Sequence, residues 1–199
     1  MLISQHLLTL TSESVFAEGT FVVLLSRNTE LNDSCVAHKE TEVACFGDSL
    51  EEAFLKSLLS TGFKLPNKNI LITLGDLEHK IEFLPSAKML AELGYKIYAT
   101  TNTHKLLTDN NIPCRPVHKI SEKKSPNILD LLEQKKFDLV INSQTTIDSV
   151  SERDGYVIRR KAIDYNIPLI NNIKIASLFV KSIYKHTKEG LSIKSLDEY

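Results

Sequence analysis

The chain has 199 residues, 42% of them hydrophobic and 25% charged, with a formal net charge of −1. That is the make-up of a globular protein with a sizeable core, and it excludes a chain-wide basic surface for nucleic acid. Three widely spaced cysteines, Cys35, Cys45 and Cys114, form no C-x-x-C pair, so a reducing compartment is expected and a zinc site is not.

The opening MLISQHLLTLTSESVF has neither the basic start of a secretory signal nor the arginines of a transit peptide. No run of ~18 apolar residues occurs, so a soluble intracellular chain without a membrane partner is expected. Thr20–Ser26, TFVVLLS, reads as an isolated strand, and Arg27–Glu40 as polar and turn-rich. Leu50–Leu59 has helical apolar spacing through Ala53, Phe54, Leu58 and Leu59. Thr61–Lys68, TGFKLPNK, reads as a linker, which puts a domain boundary near residue 66.

From Asn69 the pattern alternates. Asn69–Gly75 is a buried strand ended by glycine, and Lys80–Leu93 a helix with Gly94 placed to close it. Lys96–Thr100 is a second strand, Thr103–Asn111 a short helix, and Cys114–Lys119 a third, weaker strand. Ser125-Pro126 starts a helix through Glu133, since proline suits a first helical turn. Phe137–Asn142 is the fourth strand, Tyr156–Tyr165 a helix, Pro168–Asn171 the fifth strand and Ile173–His186 a closing helix. Five strands separated by helices predict an α/β three-layer sandwich, with a five-stranded parallel sheet between helices.

Ligands of such sheets bind beyond the carboxyl ends of the strands. The residues expected there are Gly75, Asp76 and Lys80; Thr100, Thr101, Asn102 and Thr103; His118 and Lys119; Asn142 to Thr146; and Asn171 and Asn172. Hydroxyls, amides and lysines dominate this rim and carboxylates are few, which is the composition of an anion receptor. Thr100 and Thr103 are three apart at a strand-to-helix turn, so both hydroxyls can face one point above a helix N-terminus. The competing structural reading makes one threonine a cap and the others strand formers. Asp76 reads as a cap before it reads as a general base. His79, His104 and His118 lack ligand spacing, so no metal site is expected. Of Arg159 and Arg160, one is expected to reach solvent and the other to pair with a carboxylate or approach a ligand. No Ser/His/Asp set, P-loop or catalytic motif stands out.

From about Glu42 to His186 the chain resembles the C-terminal end of carbamoyl-phosphate synthase, in its large-subunit or single-chain form. TEVACFGDSLEEAFLKSLLSTGFKLPNKNILITLG is similar to the exit from that enzyme's second ATP-grasp unit. FDLVIN, GYVIRRKAIDYNIPLI and SLFVKSI are similar to its allosteric domain, which has the methylglyoxal-synthase-like fold. The resemblance implies three segments: 1–66, an extension with a remnant of the ATP-grasp end; 67–188, the allosteric domain; and 189–199, a tail. It also implies a regulatory role, in the cytoplasm or the mitochondrial matrix and in pyrimidine, arginine or urea synthesis.

Thr100, Thr103 and Asn142 match effector contacts of the family, and Lys80 and Lys119 match phosphate-contacting lysines of its nucleotide-binding members. Thr145 completes the expected set. The implied effectors are a uridine nucleotide, phosphoribosyl pyrophosphate or N-acetylglutamate. Acetylglutamate-responsive members carry a tryptophan and two asparagines at the positions of Lys119, Thr145 and Gly155, a departure that favours a phosphorylated effector. NNIPCRPV and YVIRR look closer to the mitochondrial type, so the effector stays open. The family's ATP and Mg or Mn belong to ATP-grasp parts upstream, leaving this chain with no cofactor and no catalysis of its own. HKETEVACFG lacks a glycine found in the family, and residues 1 to about 40 match nothing in it. A fragment, a truncated product or an incomplete gene model is therefore expected. Two other readings remain: a methylglyoxal-synthase-like lyase, although NSQTTID stands where that enzyme has its aspartate turn and Asp148 is displaced; and a degenerate packing or dimerisation module.

Overall fold

The computed structural model describes residues 8–10, 21–27, 41–143 and 149–191. Thr145, Asp148, Cys35 and the tail beyond residue 191 lie outside them. The chain divides into two compact units, one of Met1–Lys64 with Lys181–Tyr199 and the other of Leu65–Val180.

In the first unit, β1 (Leu8–Leu10), β2 (Phe21–Arg27) and β3 (Thr41–Gly47) form an antiparallel sheet in that order. The strand expected to be isolated is thus its central member. Its partner TEVACFG pairs along its whole length, from Phe21 opposite Gly47 to Arg27 opposite Thr41. Helix α1 (Leu50–Ser60) packs on β2 and β3. Ser49 caps it by accepting from the Glu52 N–H at 3.3 Å, and Glu52 reaches back to accept from the Asp48 N–H at 2.9 Å. Buried Glu52 also pairs with Lys56 at 3.1 Å, and Lys56 donates to the Phe46 carbonyl at 3.2 Å. A Cβ on Gly47 would stand 2.5 Å from the backbone nitrogen of Ala53, so only glycine permits this approach of strand to helix.

The second unit is built on β4 (Asn69–Leu74), β5 (Lys96–Thr100), β6 (Cys114–Val117), β7 (Leu139–Ser143) and β8 (Leu169–Ile170). All pairings are parallel, in the order β6-β5-β4-β7-β8. Strands β4, β5 and β7 are buried on both faces, which is why they read as apolar runs, whereas Arg115 and Pro116 of the edge strand β6 are exposed. Leu71, Tyr98 and Val140 face a core with Leu132 of α4 (Ile128–Glu133) and with Ile158 and Ala162 of α5 (Ser149–Asp164). Ile70, Ile72, Ile97 and Ala99 point the other way. That side packs against α2 (Leu77–Glu92) and α3 (Thr101–Asp109).

Several boundaries differ from expectation, among them three with a local cause or a large shift. The third strand stops at Val117, because the chain turns into a short 3-10 helix, Ile120–Glu122. The fourth helix begins at Ile128, after Pro126; Asn127 and Asp130 form a reciprocal capping box that fixes the start. The fifth begins at Ser149, seven residues before the expected Tyr156. The closing helix, α6, runs Ile173–Glu189.

Candidate functional site

The strand order places β4 in the middle, with β5 and β6 on one side and β7 and β8 on the other. Successive crossovers therefore reverse direction at the β4–β7 boundary, and a crevice opens beyond the carboxyl ends of those two strands. Gly75 and Asp76 end β4 there, and Asn142 and Ser143 end β7. The Gly75 N–H donates to the Ser143 carbonyl at 2.9 Å and holds the two ends together.

Asp76 accepts from the His79 N–H at 2.8 Å and so caps α2, as its place in the sequence suggests. His79 Nδ1 is 3.1 Å from Ser143 Oγ and 3.6 Å from Asp76 Oδ1. This brings together a serine, a histidine and an aspartate that sequence reading left apart. Both contacts fall on one ring nitrogen, however, so the imidazole cannot pass a proton from hydroxyl to carboxylate as a triad does.

Lys80, one turn into α2, donates to the Gly75 carbonyl at 3.0 Å. Burial pushes the pKa of its ammonium down, and the nearby charge of Lys119 pushes it further; Asp76 opposes the two. Half-buried Lys119 stands at the turn after β6, on the β5 side of the sheet. Two lysines from separate elements thus repel each other, a repulsion that an anion between them relieves.

Thr100 occupies the cap position of α3, but its side chain makes no capping bond. No acidic residue stands in the first turn of this helix, so its amide donors and positive dipole end are left for another acceptor. Thr103 is almost fully buried, and its Oγ1 donates to the Leu74 carbonyl over a long 3.5 Å. The two threonines therefore flank the helix start, with Thr103 directed at the end of β4.

Asn142 is fully buried. Its Nδ2 donates to Thr73 Oγ1 at 2.6 Å, and its Oδ1 accepts from Arg159 of α5 at 2.7 Å. Arginine only donates, so the amide orientation is fixed: the oxygen must face Arg159. Arg159 is the inward member of the arginine pair, while Arg160 pairs with Asp164 at 3.2 Å. Asn172 is spent as a helix cap, accepting from the Lys174 and Ile175 N–H groups.

The rim also holds a carboxylate that sequence reading passed over. Glu122 accepts from Thr101 Oγ1 at 3.3 Å through one oxygen and from His118 Nδ1 at 3.0 Å through the other. Those bonds, the His118 bond first, hold its pKa below the usual carboxylate range. Among the described residues no group of three His, Cys, Asp or Glu side chains could hold a metal ion, and no helix is long and apolar enough to cross a membrane.

Residues 82–171 match the family described as "MGS-like domain". Over 161 residues the chain is 39% identical to "Multifunctional protein pyr1-3" of Dictyostelium discoideum, an alignment covering 78% of this chain and 7% of that protein. It is 40% identical over 157 residues to "Multifunctional protein CAD" of Squalus acanthias, covering 71% and 7%. It is 39% identical over 169 residues to the human "Carbamoyl-phosphate synthase [ammonia], mitochondrial", covering 83% and 11%. The chain thus spans about a tenth or less of the length of these relatives.

Proposed function

The chain belongs to the MGS-like family, in the branch that includes carbamoyl-phosphate synthase, and from that premise we propose that it is an effector-binding regulatory domain. The ligand is a small anion, phosphorylated or carboxylated, held beyond the carboxyl ends of the strands around the start of α3. The observation that carries this reading is the start of α3, where Thr100 makes no capping bond and no acidic residue stands in the first turn; the nearby charge of Lys119, which pushes the Lys80 ammonium pKa down, supports it. An anion bound there neutralises two crowded ammonium groups and takes the free amide donors of one helix turn.

Lys80, Lys119 and the α3 amides supply charge and donors, and Thr100 and Thr103 line the helix start. Asn142, buried with both ends committed, acts by holding Arg159, whose other N–H groups are available to the ligand. Thr145 belongs to the proposed set on sequence grounds. In the full-length synthase, differential affinity for two arrangements of the enzyme changes its activity, typically with a coupling of ~1–3 kcal/mol. Asp76 is engaged as a helix cap, which argues against its serving as the base of a lyase.

Calorimetry with uridine triphosphate, phosphoribosyl pyrophosphate and N-acetylglutamate tests the proposal. At least one should bind, and Thr103→Ala and Lys119→Ala should each weaken it; unchanged affinity in both variants would put the site elsewhere. A folded chain that binds none of the three is a packing module. Release of phosphate from dihydroxyacetone phosphate would make it a lyase.

A further inference from the structure

We infer that Glu122 is a positioning residue of the anion site, which holds Lys119 in place by tying the turn after β6 to the start of α3. This deepens the effector-binding reading and rests on it.

Lys119 stands at the cap position of the 3-10 helix Ile120–Glu122, in a turn too short to hold its shape through its own backbone. Its rigidity comes from side chains. The Glu122 N–H donates to the Lys119 carbonyl at 3.2 Å and closes the turn. The carboxylate's bond to Thr101 Oγ1, at 3.3 Å, fastens the turn to the first residue of α3. Its bond to His118 Nδ1, at 3.0 Å, fixes the imidazole with the proton on Nδ1, since a carboxylate only accepts. On the far side Asp154 of α5 accepts from the Ser121 N–H at 3.2 Å. Lys119 is thereby held between two helices, and its charge is felt by Lys80 on a third.

A carboxylate beside an anion site repels the anion, so the positioning role and the charge predict opposite signs. Freeing one ordered lysine costs roughly two- to tenfold in affinity. Uridine triphosphate binding is measured by calorimetry for the wild-type chain, Glu122→Ala, Lys119→Ala and the double variant, each checked for folding. Glu122→Ala is expected to bind that much more weakly, and to add nothing once Lys119 is removed. Tighter binding, or an equal loss on the Lys119→Ala background, would overturn the inference, because the carboxylate would then act by repulsion or by general stability. Unchanged binding in Glu122→Ala with a loss in Lys119→Ala removes the positioning role and leaves the site standing. No effect in either variant removes both, as does a wild-type chain that binds none of uridine triphosphate, phosphoribosyl pyrophosphate and N-acetylglutamate, each of which is tried before the comparison is made.

A ligand-free readout is the titration of Lys80, followed by nuclear magnetic resonance of its side chain. The charges acting on Lys80 are Lys119 and Asp76. Releasing Lys119 should let the Lys80 pKa rise toward its ordinary value in Glu122→Ala, as in Lys119→Ala. Loss of a negative charge alone would lower it, and a fall would count against the inference. Should Glu122→Ala fail to fold, Glu122→Gln takes its place in the same comparisons.

Discussion

Arg159 and Asn142 meet at 2.7 Å across the gap between α5 and the end of β7. The contact joins a partly buried guanidinium to a fully buried amide, whose other end holds Thr73 on the neighbouring strand at 2.6 Å. Strand β4, strand β7 and helix α5 are therefore locked together through one side chain.

Asn142→Ala should leave both the guanidinium and the Thr73 hydroxyl without their partner, at a cost of about 1–3 kcal/mol. Asn142→Asp should cost less, since aspartate still accepts from Arg159 and the Thr73 hydroxyl can turn to donate. Thermal denaturation of the three proteins checks the order. An alanine variant as stable as the wild type would mean the network contributes nothing to stability.

Burial pushes the Cys114 thiol up to about 12. At pH 8 only about one molecule in ten thousand would carry the reactive thiolate. Alkylation by iodoacetamide at Cys114 should be slower in the folded chain than in urea by orders of magnitude, as mass spectrometry of the labelled peptide would reveal. Rapid labelling under native conditions would show that β6 opens readily.

The parts of this fold that can be read from sequence are those where one local signal decides. Lys96–Thr100 is such a case: a short apolar run followed by threonines admits a strand and little else, and the structure has that strand with those bounds. The first two turns of α5 are the opposite case. Ser149–Gly155 is polar apart from Val150, so no apolar stripe marks it as helical. Strand β2 was visible while its pairing was not, because register with β3 depends on contacts across a long intervening segment. The site divides in the same way. Lysines and threonines at strand ends are what suggest the proposed anion site, whereas Glu122 belongs to a three-residue helix with no periodicity to flag it. Which arginine of the pair turns inward depended on meeting Asn142, seventeen positions away.

Gly47 should tolerate no side chain. A Cβ there stands 2.5 Å from the Ala53 nitrogen and 3.1 Å from its Cα, both backbone atoms that can move only by shifting α1 off the strand. Gly47→Ala should destabilise the first unit by roughly 1–3 kcal/mol. Hydrogen exchange at the α1 amides reports this directly; unchanged protection would mean that strand and helix can separate at little cost.

The lowered pKa of Lys80 sets a pH dependence whose sign can be worked out. Burial, then the charge of Lys119, disfavours the ammonium in the folded chain. Between that depressed value and the ordinary lysine value of about 10.4, the unfolded chain binds more protons, so this group's contribution to stability rises with pH. An anion in the crevice reverses the electrostatics and restores the proton. Effector binding at neutral pH, where Lys80 is already charged, should therefore take up no proton at this lysine. At pH values approaching about 10 it should take up part of one, and affinity should fall as the unbound lysine discharges. Calorimetry at both pH values, in buffers of different ionisation enthalpy, counts the protons. Lys80→Ala should abolish the alkaline uptake. Uptake that persists in that variant would assign the proton to another group, and release in place of uptake would contradict an anion seated between these lysines.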